Sequence, residues 1–313
     1  MREHALRLTV IFSGMFLLAF GFQNCTPVKF KTSASDGGSS FTVTPQGGTV
    51  GTGGNGSGGT VTNGGGTRTT PGGGGGTTGV GCAAAKAQII LLENSSQALN
   101  LSGNLTLKAR SIFMRGSYDI SGNSILDVAD FKYEDSSIED PLSRLAAPSE
   151  SGLSVFSGGT TTAKTVTLSP GVYTNGLNIS GQAKVTLKPG IYILKNGLSV
   201  SGNSELIGEG ILLYVSSGGV GFSGGSTIRL AAKTSGSYAN LLIYQDRSNS
   251  SVARMSGGSD WTLDGVIYMA SAAVNLSGHC NSSQPASLIA ASLNMSGGSF
   301  AFGDSRQENV TCF

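Results

Sequence analysis

Charge is scarce in this chain. Only 12% of its 313 residues are Asp, Glu, Lys or Arg, and 20 basic against 18 acidic residues leave a net charge of +2. With no basic excess to neutralise phosphates, nucleic acid binding has little electrostatic basis. Histidine is scarcer still: of two, His4 lies in a leader, and His279 alone argues against a multi-histidine metal site. Phosphate-loop chemistry is missing too, because no Gly-Lys-Ser or Gly-Lys-Thr follows the early glycine run and no strand pattern precedes it. Glycine itself is abundant, at 49 residues. Much of it is concentrated early, leaving roughly 230 residues for one ordered domain.

Residues 1–24 read as a signal peptide. Arg2 and Arg7 give a positive start, and Leu8 to Phe22 form an apolar stretch too short for a bilayer-spanning helix. The leader ends Phe22-Gln23-Asn24-Cys25 and resembles bacterial lipoprotein signals, which implies that Cys25 is acylated and becomes the mature N-terminus. Thr26 stands where enteric lipoproteins carry an inner-membrane retention Asp, so the resemblance points to the outer membrane. Residues 25–81 are then expected to form a lipidated, flexible tether. Its Gly, Thr and Ser content buries too little apolar surface to offset the entropy of ordering it.

From residue 82 to 313 a repeat takes over. Pro170-Gly171-Val172-Tyr173 returns as Pro189-Gly190-Ile191-Tyr192, and Asn175-Gly176-Leu177 with Ile179-Ser180-Gly181 returns as Asn196-Gly197-Leu198 with Val200-Ser201-Gly202. A recurring period near 20 residues marks a solenoid. An apolar residue followed by Ser-Gly recurs from Leu101-Ser102-Gly103 to Met295-Ser296-Gly297. Beside it runs a tyrosine ladder: Tyr173, Tyr192, Tyr214, Tyr244 and Tyr268. Between these landmarks apolar residues alternate, as in Leu99, Leu101, Leu105 and Leu107 or in Leu177, Ile179, Val185 and Leu187, which means short strands. The reading is an all-β, right-handed, single-stranded parallel β-helix of about 10 coils, the right hand being the default for parallel crossovers. Glycine after the serine suits a turn with positive φ, and Asn104, Asn123 and Asn203 suit the same geometry. Trp261 falls where other coils place Val185 and Ile228, and is expected in the core.

The segments 170–181, 208–215, 240–249, 263–278 and 287–298 resemble the C-terminal β-helical domain of TadG-like proteins, which are associated with Flp-type (Tad) pili. Asp140-Pro141-Leu142 through Ala147-Pro148 resembles that family's inserted element. The resemblance implies a cell-envelope location and no enzymatic activity. The family's N-terminal membrane helix is replaced here by the lipid anchor and tether, which weakens any link to pilus assembly.

Six of the 18 carboxylates fall between Asp127 and Asp140. Asp127, Asp130, Glu134 and Asp135 are the weak candidates for a divalent cation, but their spacing matches no calcium loop, so an inserted solvated loop around residues 127–150 is expected instead. Glycosidic cleavage needs paired carboxylates. Glu205, Glu209, Asp260 and Asp264 read as scattered over different strands, and no catalytic residue and no cofactor is assigned. The tyrosines are either a surface-binding stripe or core residues with their hydroxyls at the rim. Export implies oxidising conditions. With the coils in chain order, Cys82 would lie most of a rod's length from the last coil, so the expected disulfide is Cys280–Cys312. The expectation is a non-enzymatic, lipid-anchored outer-membrane protein presenting a β-helical head in a structural or adhesive role. Its partners would be the membrane and a surface glycan or envelope protein. The alternatives are a polysaccharide-active enzyme and an accessory of a pilus or secretion assembly.

Overall fold

The computed structural model describes residues 41–43, 88–162, 164–256, 260–284 and 286–302, all within one compact unit spanning Asp36–Phe313. They form a parallel β-helix of about nine turns, against the ten expected, and the one antiparallel pairing among the described residues joins Phe41–Val43 to residues 126–128. That short strand lies inside the segment expected to be a free tether. It is a Phe-Thr-Val run without glycine, the kind of sequence that suits a sheet.

Three sheets, A, B and C, wrap a single apolar interior. Each turn contributes a strand such as Leu177–Ser180 to sheet A, Lys184–Leu187 to sheet B and Gly190–Leu194 to sheet C. The alternation works as expected: Leu99, Leu101, Leu105, Leu107, Leu177, Ile179, Val185, Leu187, Leu198 and Val200 all point into the core. So does Trp261, which stacks in register on Ile228. At about 4.8 Å per rung, nine turns make a rod about 40 Å long.

The Ser-Gly landmarks are the turns between sheets A and B. Gly202 has φ +73°, and a Cβ there would sit 2.8 Å from the carbonyl oxygen of Gly181 in the turn below. Positive φ and vertical stacking together demand glycine. Asn104, Asn123 and Asn203 do not share that geometry, since among the described residues only Glu134 and Asn240 are non-glycine residues with positive φ. The serine that matters most stands three places on. Ser124, Ser204 and Ser226 are fully buried, and each donates its hydroxyl back to the carbonyl oxygen of Ser121, Ser201 or Ser223.

The order of turns in space is not their order in the chain. Residues 88–132 coil outward from the middle of the rod to one end. Residues 133–154 then run to the opposite end, where Val155–Phe156 begins a second series that coils back. Its last turn docks on the first: Ile89 pairs with Leu288, and Leu99 to Ser102 pair with Leu293 to Ser296. The domain is one continuous solenoid made of two chain segments that meet at a seam. The premise that the start of the domain lies a rod's length from its end is therefore overturned. Cys25, Cys82 and Cys312, and the side chain of Cys280, lie outside the described residues.

Candidate functional site

The five tyrosines expected as one ladder are two sets, and none is an exposed stripe, since Tyr173, Tyr192, Tyr214, Tyr244 and Tyr268 are all at most 6% exposed. Tyr192 pairs with Leu213, whereas Tyr214 pairs with Ile193 and Tyr244. That offset of one residue turns the side chain to the other face of the sheet. Tyr173 and Tyr192 point inward and stack 5.8 Å apart, with Phe156 stacked on Tyr173. Their hydroxyls reach the turn, Tyr173 donating to Ser169 O and Tyr192 to Lys188 O.

Tyr214, Tyr244 and Tyr268 point outward from sheet C and meet edge to face at 5.1 and 5.2 Å. They are buried because residues 133–154 cover them. Ile138, Leu142, Leu145 and Leu153 of this strap pack on the outer row of sheet C, which includes Ile193, Leu212, Val266 and Ile289. The inserted segment is therefore a second hydrophobic layer rather than a solvated loop. Its expected beginning near residue 127 belongs instead to a strand of the rod, Ile125–Lys132.

Arg247 fastens the strap. Its guanidinium donates to Leu142 O, to Leu145 O at 3.0 Å, to Tyr268 OH at 2.7 Å and to Tyr244 OH at 3.1 Å. Tyr268 OH in turn donates to Asp140 Oδ2 at 2.6 Å, Tyr244 OH to Leu145 O, and Tyr238 OH to Ala146 O. Burial pushes the Tyr268 phenol well above its ordinary value, and the bond to anionic Asp140 adds to this, while Arg247 opposes it. A phenol held protonated is a permanent donor to Asp140. The segment Asp140-Pro141-Leu142 is thus the point where the strap is bolted down. Tyr214 bonds instead to Asp246. Burial pulls Asp246 upward, yet hydrogen bonds from Ser248 and Tyr214 prevail and hold its carboxyl below the usual value.

The four weak cation candidates do not converge. Asp127 forms an ion pair with Lys108 at 3.1 Å, and Asp135 accepts from Ser137 N and Oγ. Asp130 is exposed at the outer rung, and Glu134 begins the strap with its N–H on Gly116 O. No cluster of three His, Cys, Asp or Glu side chains occurs among the described residues. Glu205 and Asp260, read as scattered, share one register column on the outside of sheet B with Thr227 between them. Each is matched by a base on the adjoining rung, Lys184 at 3.9 Å and Arg229 at 2.7 Å.

The feature that sequence reasoning missed lies outside sheet A, across the seam. A groove of about 400 Å³, with Met255, Leu276 and Met295 among its lining residues, runs over the last turns and the first. Arg254, Asn275, Asn294 and Asn100 occupy the same register column on four successive rungs. Ser256, Ser277, Ser296 and Ser102 form a parallel column two residues on. Asn294 Nδ2 donates to Asn275 Oδ1 at 3.0 Å, so the amides form a ladder. Among the described residues no Asp, Glu or His lines the groove. The Asn-x-Ser spacing was visible, but only the seam brings Asn100 beside Asn294.

Comparison with family models, curated proteins and solved structures finds no match for this chain. The class that the geometry defines is a strapped, two-segment parallel β-helix.

Proposed function

We propose that the protein is a non-enzymatic, lipid-anchored component of a bacterial envelope, and that its β-helix is a head presented for adhesion or surface structure. The observation that carries this reading is the groove across the seam. Beside Met255, Leu276 and Met295 it is lined by amides, hydroxyls and one guanidinium, groups that hold a polar polymer, and among the described residues it has no carboxylate pair of the kind glycosidic cleavage needs. The leader of residues 1–24 leaves Cys25 as the anchor, and residues 25–81 supply the tether to the outer membrane, with Phe41–Val43 within it paired to the rod. The polysaccharide-active enzyme has less support, because Glu205 and Asp260 sit on an open sheet surface, each beside a base.

Radiolabelled palmitate should enter the wild-type chain and not a Cys25→Ala variant, and the label should fractionate with the outer membrane. Cells lacking the protein should lose attachment to a polysaccharide-coated surface. Unlabelled wild-type protein would sink the anchor. Attachment unchanged by the deletion would sink the adhesive role, and release of soluble sugar products would replace it with an enzyme.

A further inference from the structure

The groove also indicates which polymer it takes. We propose that it binds an acidic polysaccharide, laid along the rod axis with a uronate carboxylate on Arg254 and sugar hydroxyls on the asparagine and serine columns. This rests on the adhesive reading above and names its ligand.

Three observations converge. The columns are periodic: Asn275, Asn294 and Asn100 repeat at the rung spacing of about 4.8 Å. That spacing is close to the advance of one sugar in an extended glycan, so successive residues can meet equivalent groups. The chemistry is two-sided. A carboxamide presents both donors and an acceptor, and a serine hydroxyl does likewise, which matches sugar hydroxyls that also do both. An anionic strand bearing only acceptors would leave half of these groups unanswered. A third feature sets the charge. Arg254 stands at the head of the asparagine column, exposed, and among the described residues it forms no ion pair. The cations of the neighbouring sheet are, in contrast, matched: Lys108 by Asp127, Lys184 by Glu205 and Arg229 by Asp260. A guanidinium with a free fork beside a hydrogen-bonding ladder fits a carboxylate bidentately.

The site also depends on the fold's unusual order. Asn100 and Ser102 come from the first turn of the chain and the remaining lining residues from the last turns. The groove exists only when the two segments have met, so a bound strand should bridge the seam.

Calorimetric titration of the full-length lipoprotein in detergent with hexagalacturonate, and with cellohexaose as the neutral control, tests the proposal. The uronate should bind, and weaken as salt rises. Cellohexaose should bind at least tenfold more weakly. Arg254→Gln should bring the uronate down to the neutral level, Arg254→Lys should restore part of the difference, and Asn275→Leu with Asn294→Leu should weaken both ligands. Both side chains are half-buried on the outer face of sheet A, and an unchanged thermal midpoint will confirm folding of each variant. No binding of either sugar, equal affinity for the two, or full uronate affinity in Arg254→Gln would overturn the proposal. New reducing ends in the titrated sample would overturn it as well. Palmitate labelling and attachment are read on cells, so loss of the groove's ligand with those intact removes this inference and leaves the envelope role standing.

Discussion

Tyr192 and Tyr268 look alike in the sequence, each behind an isoleucine at the start of a sheet C strand, yet they hold different things. Tyr192 faces inward, ties its own turn together through Lys188 O, and stacks in the interior of the solenoid. Tyr268 faces outward, and its hydroxyl and ring serve the strap through Asp140 and Arg247. The inner set makes each turn a turn. The outer set joins two ends of a molecule whose chain must cross its own length to finish folding. Among the described residues, sheet C is the sheet with a second apolar layer, because there the strap runs along its outside.

The largest effect should come from breaking the inner set. Tyr192→Ala removes a ring that is fully buried among core side chains, and should cost about 3–5 kcal/mol of global stability, as large-to-small core changes do. Urea unfolding should shift to a lower midpoint and amide exchange should rise along the whole rod. Exchange confined to residues 133–154 would contradict an interior role.

Next comes the strap. Arg247→Ala removes the charged donor shared by Leu142 O, Leu145 O and Asp140 and leaves them only Leu145 N, Tyr244 OH and Tyr268 OH, at a cost of about 2–3 kcal/mol for charge-assisted bonds at a half-buried site. Here the exchange should be local: amides of residues 133–154 should lose protection while sheet A keeps it. Uniform loss of protection would mean that strap and rod unfold as one unit and that the two sets of tyrosines are not separate.

How much of this the sequence reveals follows from what each feature depends on. Inward positions such as Leu177 and Val185 depend on alternation, and turns such as Gly202 depend on a local backbone need, so both are readable. The strap's cover was partly readable. Runs such as Ile211-Leu212-Leu213-Tyr214-Val215 are apolar without alternation, the mark of a strand buried on both faces, and the tyrosines of such runs lack the Pro-Gly that precedes Tyr173 and Tyr192. The seam was not. Every turn presents nearly the same pattern, so nothing local says that Ile89 pairs with Leu288 rather than ending the rod. The candidate groove inherits that limit because half of its logic is the contact between first and last turns.

Alkali should sharpen the comparison without any mutation. Burial raises the phenols of Tyr192, Tyr214 and Tyr268 above the ordinary value of 10.0, with Asp246 and Asp140 adding to the rise in the outer two. In the folded protein they keep their protons where the unfolded chain gives them up. Stability is therefore intact below about pH 9 and falls as pH climbs past the unfolded tyrosine value of about 10. Urea midpoints between pH 8 and 11 should be level and then drop, with a shallower drop in Tyr268→Phe. A midpoint unchanged through pH 11 would show that the phenols titrate normally.

The smallest effects are single hydroxyls. Tyr173→Phe loses one bond to Ser169 O and Tyr268→Phe loses the bridge between Arg247 and Asp140, each at about 0.5–1.5 kcal/mol. Their sizes overlap, so the informative quantity is coupling. Tyr268 shares partners with Arg247, and its loss should be non-additive with Arg247→Ala by at least about 0.5 kcal/mol. Tyr173 shares none: its ring contacts are Phe156 and Tyr192, and its hydroxyl ends on a turn. Tyr173→Phe and Arg247→Ala should therefore add within about 0.5 kcal/mol. Coupling of Tyr173 to Arg247 would mean that strain passes through sheet C from one face to the other, and that the interior and the strap are one cooperative structure despite their opposite registers.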